Sequence, residues 1–205
     1  MSATWILVVG LLTLYLGFVV WYGGRGNPLS AQETERFLRV LAERAQGPEA
    51  AVLLDEVRAL VAKDDGREFV MQNLARYRTR ALYPPGQHFG DDPREADRRY
   101  GRAIAPHLLR NGCVPLFIAR RIGSFIQPVG ADDWHYVAMV RYRSRRDFLR
   151  FAVAIEAAEI SMHKWAALEK THVFPVRPLL SLVFVRGAVA ALLALVGVAL
   201  AWVIR

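Results

Sequence analysis

Two long apolar segments, one near each end of the chain, enclose a central region in which apolar and charged positions alternate. Residues 4–23 and residues 187–204 contain no charged side chain. About twenty apolar residues in a helix are enough to cross a bilayer, so both segments are predicted to be transmembrane helices. Extending the second backward to residue 179 requires Arg186 to snorkel or to face a partner. The predicted spans are therefore 4–23 and 179–204.

The first apolar segment has an alternative interpretation as a cleaved signal peptide. It lacks a basic n-region, its apolar stretch is long, and no cleavage site of small residues follows it. These three features favour an uncleaved anchor.

Residues 29–66 show apolar positions at helical spacing and predict a helical hairpin that links the first span to the rest of the chain. Ser30 and Glu33 form a capping box at the start of its first helix. The apolar stripes of the two helices are Phe37, Leu38 and Leu41, and Leu53, Val57 and Leu60.

Residues 67–178 repeat the order strand, helix, strand twice. Alternating or continuous apolar runs predict the strands at 68–78, 114–122, 134–143 and 171–178. The helices begin at Asp92-Pro93 and at a Ser144/Asp147 capping box, and the second continues past Met162. Two βαβ units in tandem form a ferredoxin-like α+β fold, a four-stranded antiparallel sheet with two helices on one face.

A short basic motif occurs once in each predicted half of this domain. The sequence ARYRTR (75–80) ends the first strand of one unit, and VRYRSR (140–145) ends the first strand of the other. We interpret the two copies as the same corner of pseudo-symmetric units. Their tyrosines are expected to face the core, and their arginines to crowd the strand ends.

The distribution of charge narrows the classes of partner. All nineteen acidic residues and all but two of the twenty-seven basic residues lie between the apolar segments, so this region carries a net charge of about +6. That excess is modest and no RNP-type signature is present, so nucleic acid is not an expected partner. Arginines near a bilayer more often meet anionic head groups or acidic protein faces.

The same charges predict the membrane orientation. Basic residues flank both spans on the side of the central domain, at Arg25, Arg36, Arg39, Lys170, Arg177 and Arg186. The positive-inside rule then places the domain in the cytoplasm and the two spans in the cell inner membrane. The single cysteine of the chain agrees with a reducing compartment.

Four stretches of the central region carry a resemblance to a known group. They read MQNLARYRTRALYPPG, RRYGRAIAPHLLRNG, DDWHYVAMVRYRSRRDFLRFA and HKWAALEKTHVFPVRP. Through them, residues 67–178 resemble an uncharacterised branch, a domain of unknown function, of the ferredoxin-like dimeric α/β-barrel superfamily. The resemblance implies a homodimer paired sheet to sheet, with a cavity between each sheet and its helices. Relatives include cofactor-free monooxygenases, muconolactone isomerase-like enzymes and haem-binding proteins.

Candidate chemistry is sparse. No histidine pattern matches a zinc motif, and no cofactor is expected. Asn73 and His107 are the catalytic candidates, because an amide and a histidine can polarise a bound carbonyl. The residues expected to line their pocket are Tyr77, Tyr100, Trp134 and His135. Alternatively, these side chains satisfy one another or fix the long loop. His163 is a weak candidate haem ligand, by analogy with the haem-binding relatives.

The added spans favour an accessory role over chemistry. Small residues recur at four-residue spacing in the second span, at Gly187/Ala191, Ala190/Ala194 and Gly197/Ala201, which allows close helix packing. We therefore expect a membrane-anchored, non-catalytic accessory or scaffolding subunit of a membrane protein complex. Its expected partners are the lipid bilayer, other membrane-protein subunits and a second copy of the chain. The alternative is a cofactor-independent monooxygenase- or isomerase-like enzyme acting on a hydrophobic small molecule.

Overall fold

The computed structural model describes residues 3–23, 26–44, 50–179 and 185–203, which form two compact units. One unit joins the two ends of the chain, Met1–Gly24 and Pro178–Arg205, and the other is Arg25–Arg177. Arg25 of the predicted basic flank and residues 180–184 of the extended second span lie outside the described residues.

Apart from α6, the helices and strands follow the predicted order. They are α1 (Ala3–Tyr22), α2 (Ala31–Arg44), α3 (Ala50–Ala62), β1 (Phe69–Tyr77), α4 (Pro93–Arg110), β2 (Val114–Arg120), β3 (Tyr136–Tyr142), α5 (Arg145–Ala157), α6 (Ser161–Ala167), β4 (Leu168–Val176) and α7 (Val185–Val203).

The four strands form one sheet in the order β2-β3-β1-β4, and each neighbouring pair is antiparallel. This is the strand order of a ferredoxin-like βαββαβ domain. The predicted α+β fold class is confirmed: two helices precede the domain, and α1 and α7 are long and apolar enough to cross a membrane. Pro175 lies on β4, an edge strand, where its missing N–H costs no ladder hydrogen bond.

The larger unit has three layers. Phe69 and Met71 on β1 and Tyr142 on β3 pack against Leu108 of α4 and Phe151 of α5. The opposite side of α5 packs against the α2–α3 hairpin, through a cluster of Leu38, Leu41, Val57, Val61 and Leu149. One face of the sheet is therefore covered by α4 and α5, and α5 is covered in turn by the hairpin.

Helix starts in this unit follow the predicted caps. The Ser30 hydroxyl accepts the Glu33 N–H at 3.2 Å, and the Glu33 carboxylate accepts the Ser30 N–H at 3.1 Å. Asp92 caps α4 by accepting the Arg94 N–H at 2.9 Å. Both capping predictions are confirmed, and α4 continues through Pro106 to Arg110 without ending there.

The predicted continuous helix after Ser144 is wrong, because the chain breaks it into α5 and α6. Glu159 adopts a positive φ of 54°, and its N–H donates to the Glu156 carbonyl at 3.1 Å. The Ile160 N–H donates to the Ile155 carbonyl at 3.0 Å, and both isoleucines pack in the core. This is a Schellman ending with its apolar contact. The last strand consequently starts at Leu168 rather than at residue 171.

In the smaller unit, α1 and α7 pack as an antiparallel hairpin. A Cβ added at Gly197 would lie 2.7 Å from Leu11 Cδ1, and the Arg186 guanidinium lies 4.7 Å from the centre of the Tyr22 ring. Gly197 thus provides the close approach that its small-residue spacing predicts.

Candidate functional site

The two copies of the basic motif lie at opposite ends of the sheet. β1 and β3 run antiparallel, with Phe69 opposite Tyr142 and Ala75 opposite Tyr136. Tyr77 and Tyr142, the tyrosines of the two copies, both lie on the sheet face that carries the helices. The arginines that follow them have very different surroundings.

At the end of β3, the arginines of the second copy are paired with carboxylates. Arg145 is almost buried and lies 3.4 Å from Asp64 and 3.0 Å from Asp65. Arg143 donates to Asp147 through Nε at 2.7 Å and through Nη2 at 2.9 Å. Burial raises the pKa of Asp65, but hydrogen bonds from Arg177, the Arg67 N–H and Arg145 outweigh it and bring the pKa to about 2.

Both ends of the larger unit are fastened at this same end of the sheet. Arg177, just after β4, is paired with Asp65. Arg146 binds Glu33 at 3.0 Å and also donates to the carbonyls of residues 27 and 28. Gly66 has φ +69°, and a Cβ there would lie 2.6 Å from the Gly26 backbone. Only glycine fits that position.

At the end of β1, the first copy of the motif borders an open cavity of about 520 Å³. Its lining is almost entirely polar: Tyr77, Arg78, Thr79, Arg80, Asp91, Asp92, Pro93, Arg94 and His135. The strand end, the loop 78–92 and the first turn of α4 build it. We call it the β1-end cavity.

The three arginines of the β1-end cavity have few protein partners. Arg94 Cζ lies 5.9 Å from the centre of the Tyr77 ring, and no hydrogen bond from its guanidinium to a described residue is seen. Arg78 donates through Nε to the Trp165 carbonyl at 3.3 Å. Arg80 pairs with Asp91 at 2.7 Å, but both side chains are mostly exposed.

His135 presents a nitrogen donor at the same wall. Its Nδ1 accepts the main-chain N–H of Tyr77 at 2.8 Å, and its ring stacks on Tyr77 with centroids 5.5 Å apart. Because a main-chain N–H can only donate, Nδ1 carries no proton, and the neutral ring holds its proton on Nε2.

Beneath Tyr77 lies a half-buried carboxylate. Asp97 of α4 accepts hydrogen bonds from the Tyr77 hydroxyl at 2.8 Å and the Tyr136 hydroxyl at 3.2 Å. Burial raises the pKa of Asp97, although both tyrosines oppose the rise. Burial likewise raises the pKa of Tyr136 and lowers that of Lys164, which lies close enough to Asp97 for the two charges to interact. This network holds α4 against the two central strands.

A second, shallower cavity of about 440 Å³ adjoins the first along the loop, from Arg80 to Asp91. Behind it, the Tyr83 hydroxyl and His163 Nδ1 form a hydrogen bond of 2.9 Å, and Phe89 meets the His163 ring edge-on at 4.9 Å. Burial and the nearby Arg99 charge lower the pKa of His163. His163 therefore fixes the loop against α6.

The residues predicted to form one pocket are dispersed. Tyr77 and His135 meet at the β1-end cavity. Asn73 donates to the main-chain carbonyls of Met71 and Ala138 at 3.1 and 3.4 Å. The others lie elsewhere: Tyr100 half-buried on α4, His107 near the end of α4, and Trp134 beside His172 before β3.

Sequence reasoning missed the arginines as site residues, together with Asp97 and Lys164. The repeated motif carried the signal, since Arg78 and Arg80 are the counterparts of Arg143 and Arg145. The motif does not reveal the loop geometry that brings Arg94 beside Arg78 and Arg80. Within the described ranges, no group of three or more His, Cys, Asp or Glu side chains could hold a metal ion.

Comparison with known proteins yields relatives of unknown function. No protein-family model and no curated protein matches the chain. Two crystal structures of RPA0582, a protein of unknown function from Rhodopseudomonas palustris, match with a TM-score of 0.54 and 26% identity. The match to the methylated form covers 94% of that protein and 66% of this chain. The match to the other form covers 97% of that protein and 67% of this chain. A DABB-family protein with a ferredoxin-like fold from Mesorhizobium loti matches at 11% identity with a TM-score of 0.35, over 97% of its length and 55% of this chain.

Proposed function

We propose that this protein is a membrane-anchored member of the dimeric α/β-barrel group that acts as a non-catalytic accessory or scaffolding subunit of a membrane protein complex. The observation that supports it best is the apolar exterior of the α1–α7 hairpin. Residues facing the partner helix, such as Leu11 and Gly197, are partly covered, whereas Trp5, Leu14, Leu195 and others are more than 60% exposed. Surfaces of this kind are stable in lipid rather than in water.

Within the larger unit, ion pairs hold both ends of its chain against the sheet. Arginine–carboxylate pairs connect α2, the segment after α3, α5 and the residue after β4 into one corner, through Arg146–Glu33, Arg145–Asp65 and Arg177–Asp65. Both ends of the unit therefore hold fixed positions on its sheet. A rigid domain fastened at both chain ends suits a subunit that locates other chains.

Affinity purification of the tagged full-length protein from mild detergent, followed by mass spectrometry, tests the scaffolding role. We expect reproducible co-purification of other membrane chains. The double variant Gly187→Leu, Ala191→Leu alters the exposed side of α7 and leaves the Gly197 contact intact. Comparing it with the wild type tests whether co-purification depends on that exposed side. Recovery of the self-dimer alone would contradict the proposal.

Placement in the inner membrane with a cytoplasmic domain is part of the same proposal. It rests on the basic residues that flank both spans on the domain side. Gln87, exposed on the loop 78–92, is a suitable position for a reporter cysteine. We expect an impermeant maleimide to label Gln87→Cys only after cell lysis. Labelling in intact cells would indicate the opposite orientation.

Pairing of two protomers through the open face of the sheet is supported by its side chains. Phe117 on β2 lies opposite Met139, on the face away from α4, and is 48% exposed. Its neighbour Ile118 lies opposite Ala138 on the other face and is 68% exposed. We expect Phe117→Lys to give a monomer by light scattering and Ile118→Lys to remain a dimer. Equal behaviour of the two variants would contradict this interface.

The half-buried Asp97 favours one further candidate, a cofactor-independent enzyme. A half-buried carboxyl group whose pKa is raised by burial, and which accepts hydrogen bonds from two tyrosine hydroxyls, is a candidate for proton transfer. This candidate predicts that Asp97→Asn abolishes cellular function in a folded protein, whereas Glu159→Gln, an exposed control, does not. If the Asp97→Asn, Asn73→Ala and His107→Ala variants all keep full cellular function, the enzyme candidate is excluded.

A further inference from the structure

We propose that the β1-end cavity is a binding site for a phosphomonoester group. This assignment is independent of the scaffolding role, because it concerns a ligand of the larger unit rather than a protein partner. It rests on three features of the cavity: under-used arginine side chains, committed carboxylates and the contrast with the second copy of the motif.

The cavity presents an excess of positive donors. Arg94 and Arg78 keep most of their N–H groups unused by described protein atoms, and His135 offers its Nε2 proton. The two carboxylates in the lining are already engaged: Asp91 accepts from Arg80, and Asp92 caps α4 and lies 3.7 Å from Arg98. The field in the cavity therefore favours an anion.

The other copy of the motif shows how such arginines are paired where they are buried or half-buried. There, Arg143 and Arg145 are each neutralised by carboxylates of the chain, at 2.7 and 3.0 Å. At the equivalent positions in the first copy, Arg78 has only a main-chain carbonyl and Arg80 a solvent-exposed partner. We infer that the more exposed guanidinium groups of the first copy are available to an anionic ligand.

The chemistry of the donors selects phosphate. The planar guanidinium fork binds phosphate oxygens in pairs, and a phosphomonoester carries close to two negative charges at neutral pH. A volume of about 520 Å³ admits the group with a small polar body attached, and the polar lining excludes an apolar one. A soluble metabolite and the head group of phosphatidic acid share this chemistry.

Binding is tested on the full-length protein in a neutral detergent, by titration calorimetry with glycerol 3-phosphate and with inorganic phosphate. We expect saturable binding that Arg94→Gln and Arg78→Gln each weaken about ten-fold or more, because each removes charge-assisted hydrogen bonds. Arg94→Lys keeps the charge but loses the fork, so it should lie between Arg94→Gln and the wild type. Arg110→Gln, exposed at the far end of α4, is the control and should bind as the wild type does.

Reconstitution into nanodiscs distinguishes the two sources. If the head group is the natural ligand, discs of phosphatidylcholine containing phosphatidic acid should suppress glycerol 3-phosphate binding, and discs of phosphatidylcholine alone should not. Equal binding in both discs supports a soluble ligand. Absence of saturable binding, or an Arg94→Gln variant with wild-type affinity and unchanged circular dichroism, would overturn the proposal.

Discussion

The most discriminating prediction compares one substitution at the two equivalent positions of the repeated motif. Arg145→Met is expected to destabilise the sheet strongly, and Arg80→Met hardly at all. Both remove a guanidinium that pairs with an aspartate and keep a similar side-chain volume. They differ in burial: the Arg145 and Asp64 side chains are 10% and 5% exposed, against 75% and 66% for Arg80 and Asp91.

The expected magnitudes follow from that difference. Breaking a buried ion pair costs about 3–5 kcal/mol when the remaining charge is left without partners. Here Asp64 keeps two main-chain donors, the N–H groups of Leu29 at 2.7 Å and Gly66 at 3.0 Å. The cost is therefore lowered to about 2–3 kcal/mol. The exposed pair of Arg80 contributes about 0.5 kcal/mol or less.

Hydrogen exchange of the full-length protein, read by mass spectrometry on peptides from β1 and β3, measures these costs directly. A difference of about 2 kcal/mol corresponds to roughly 30-fold faster exchange in Arg145→Met than in Arg80→Met. Rates that agree within about two-fold would show that the corner around Asp64 is not a stabilising contact, and would remove the basis for treating the two motif copies as different.

Three further predictions address other contacts. In a Cys113→Ser background, the double variant Leu11→Cys, Gly197→Cys should form an intramolecular disulfide, which a mobility shift on gels detects. The control pair Gly10→Cys, Gly197→Cys should not form one, because a Cβ at Gly10 has nothing within 4 Å. Cys113 itself is buried with a pKa raised by burial to about 11, so it should not react with maleimide at neutral pH unless unfolded. Hydrogen bonds from Arg146 and from the Ser30 N–H lower the pKa of Glu33 from 4.5 to about 2. Between pH 4.5 and 2 the wild type should therefore lose about 1 kcal/mol more stability than Glu33→Gln, as measured by urea titration.

The fold was accessible from sequence because local signals and tertiary contacts agree. Ser30, Asp92 and Ser144 cap helices where the pattern predicts them, and alternation on β1 and β3 marks the core face. The break at Glu159 was not accessible. A non-glycine residue at positive φ carries no sequence signal, and the ending there is stabilised by the contact of Ile160 with Ile155 in the core.

The site was less accessible, since it depends on which partners tertiary structure supplies. Asn73 and His107 have suitable chemistry, but Asn73 is used by main-chain carbonyls. The sequence predicts that His135 and Tyr77 line one pocket, and the two rings stack on each other. The pairing of Arg145 with Asp64 and Asp65 joins residues about eighty positions apart, and no spacing rule reveals such a contact.

The length of the segment after each motif explains why two near-identical sequences have different roles. After β3, Arg143 and Ser144 lead directly into α5, and the Ser144 hydroxyl accepts the Asp147 N–H at 3.1 Å. Because α5 starts directly after the motif, Asp147 lies within ion-pair distance of Arg143. After β1, residues 78–92 intervene before α4, whose cap is Asp92 rather than a motif residue. The arginines of that copy are left without an adjacent helical carboxylate, and the separation of strand end from helix start opens the cavity. Shortening this loop so that Thr79 caps α4, as Ser144 caps α5, should close the cavity and abolish phosphomonoester binding while the sheet keeps its exchange protection.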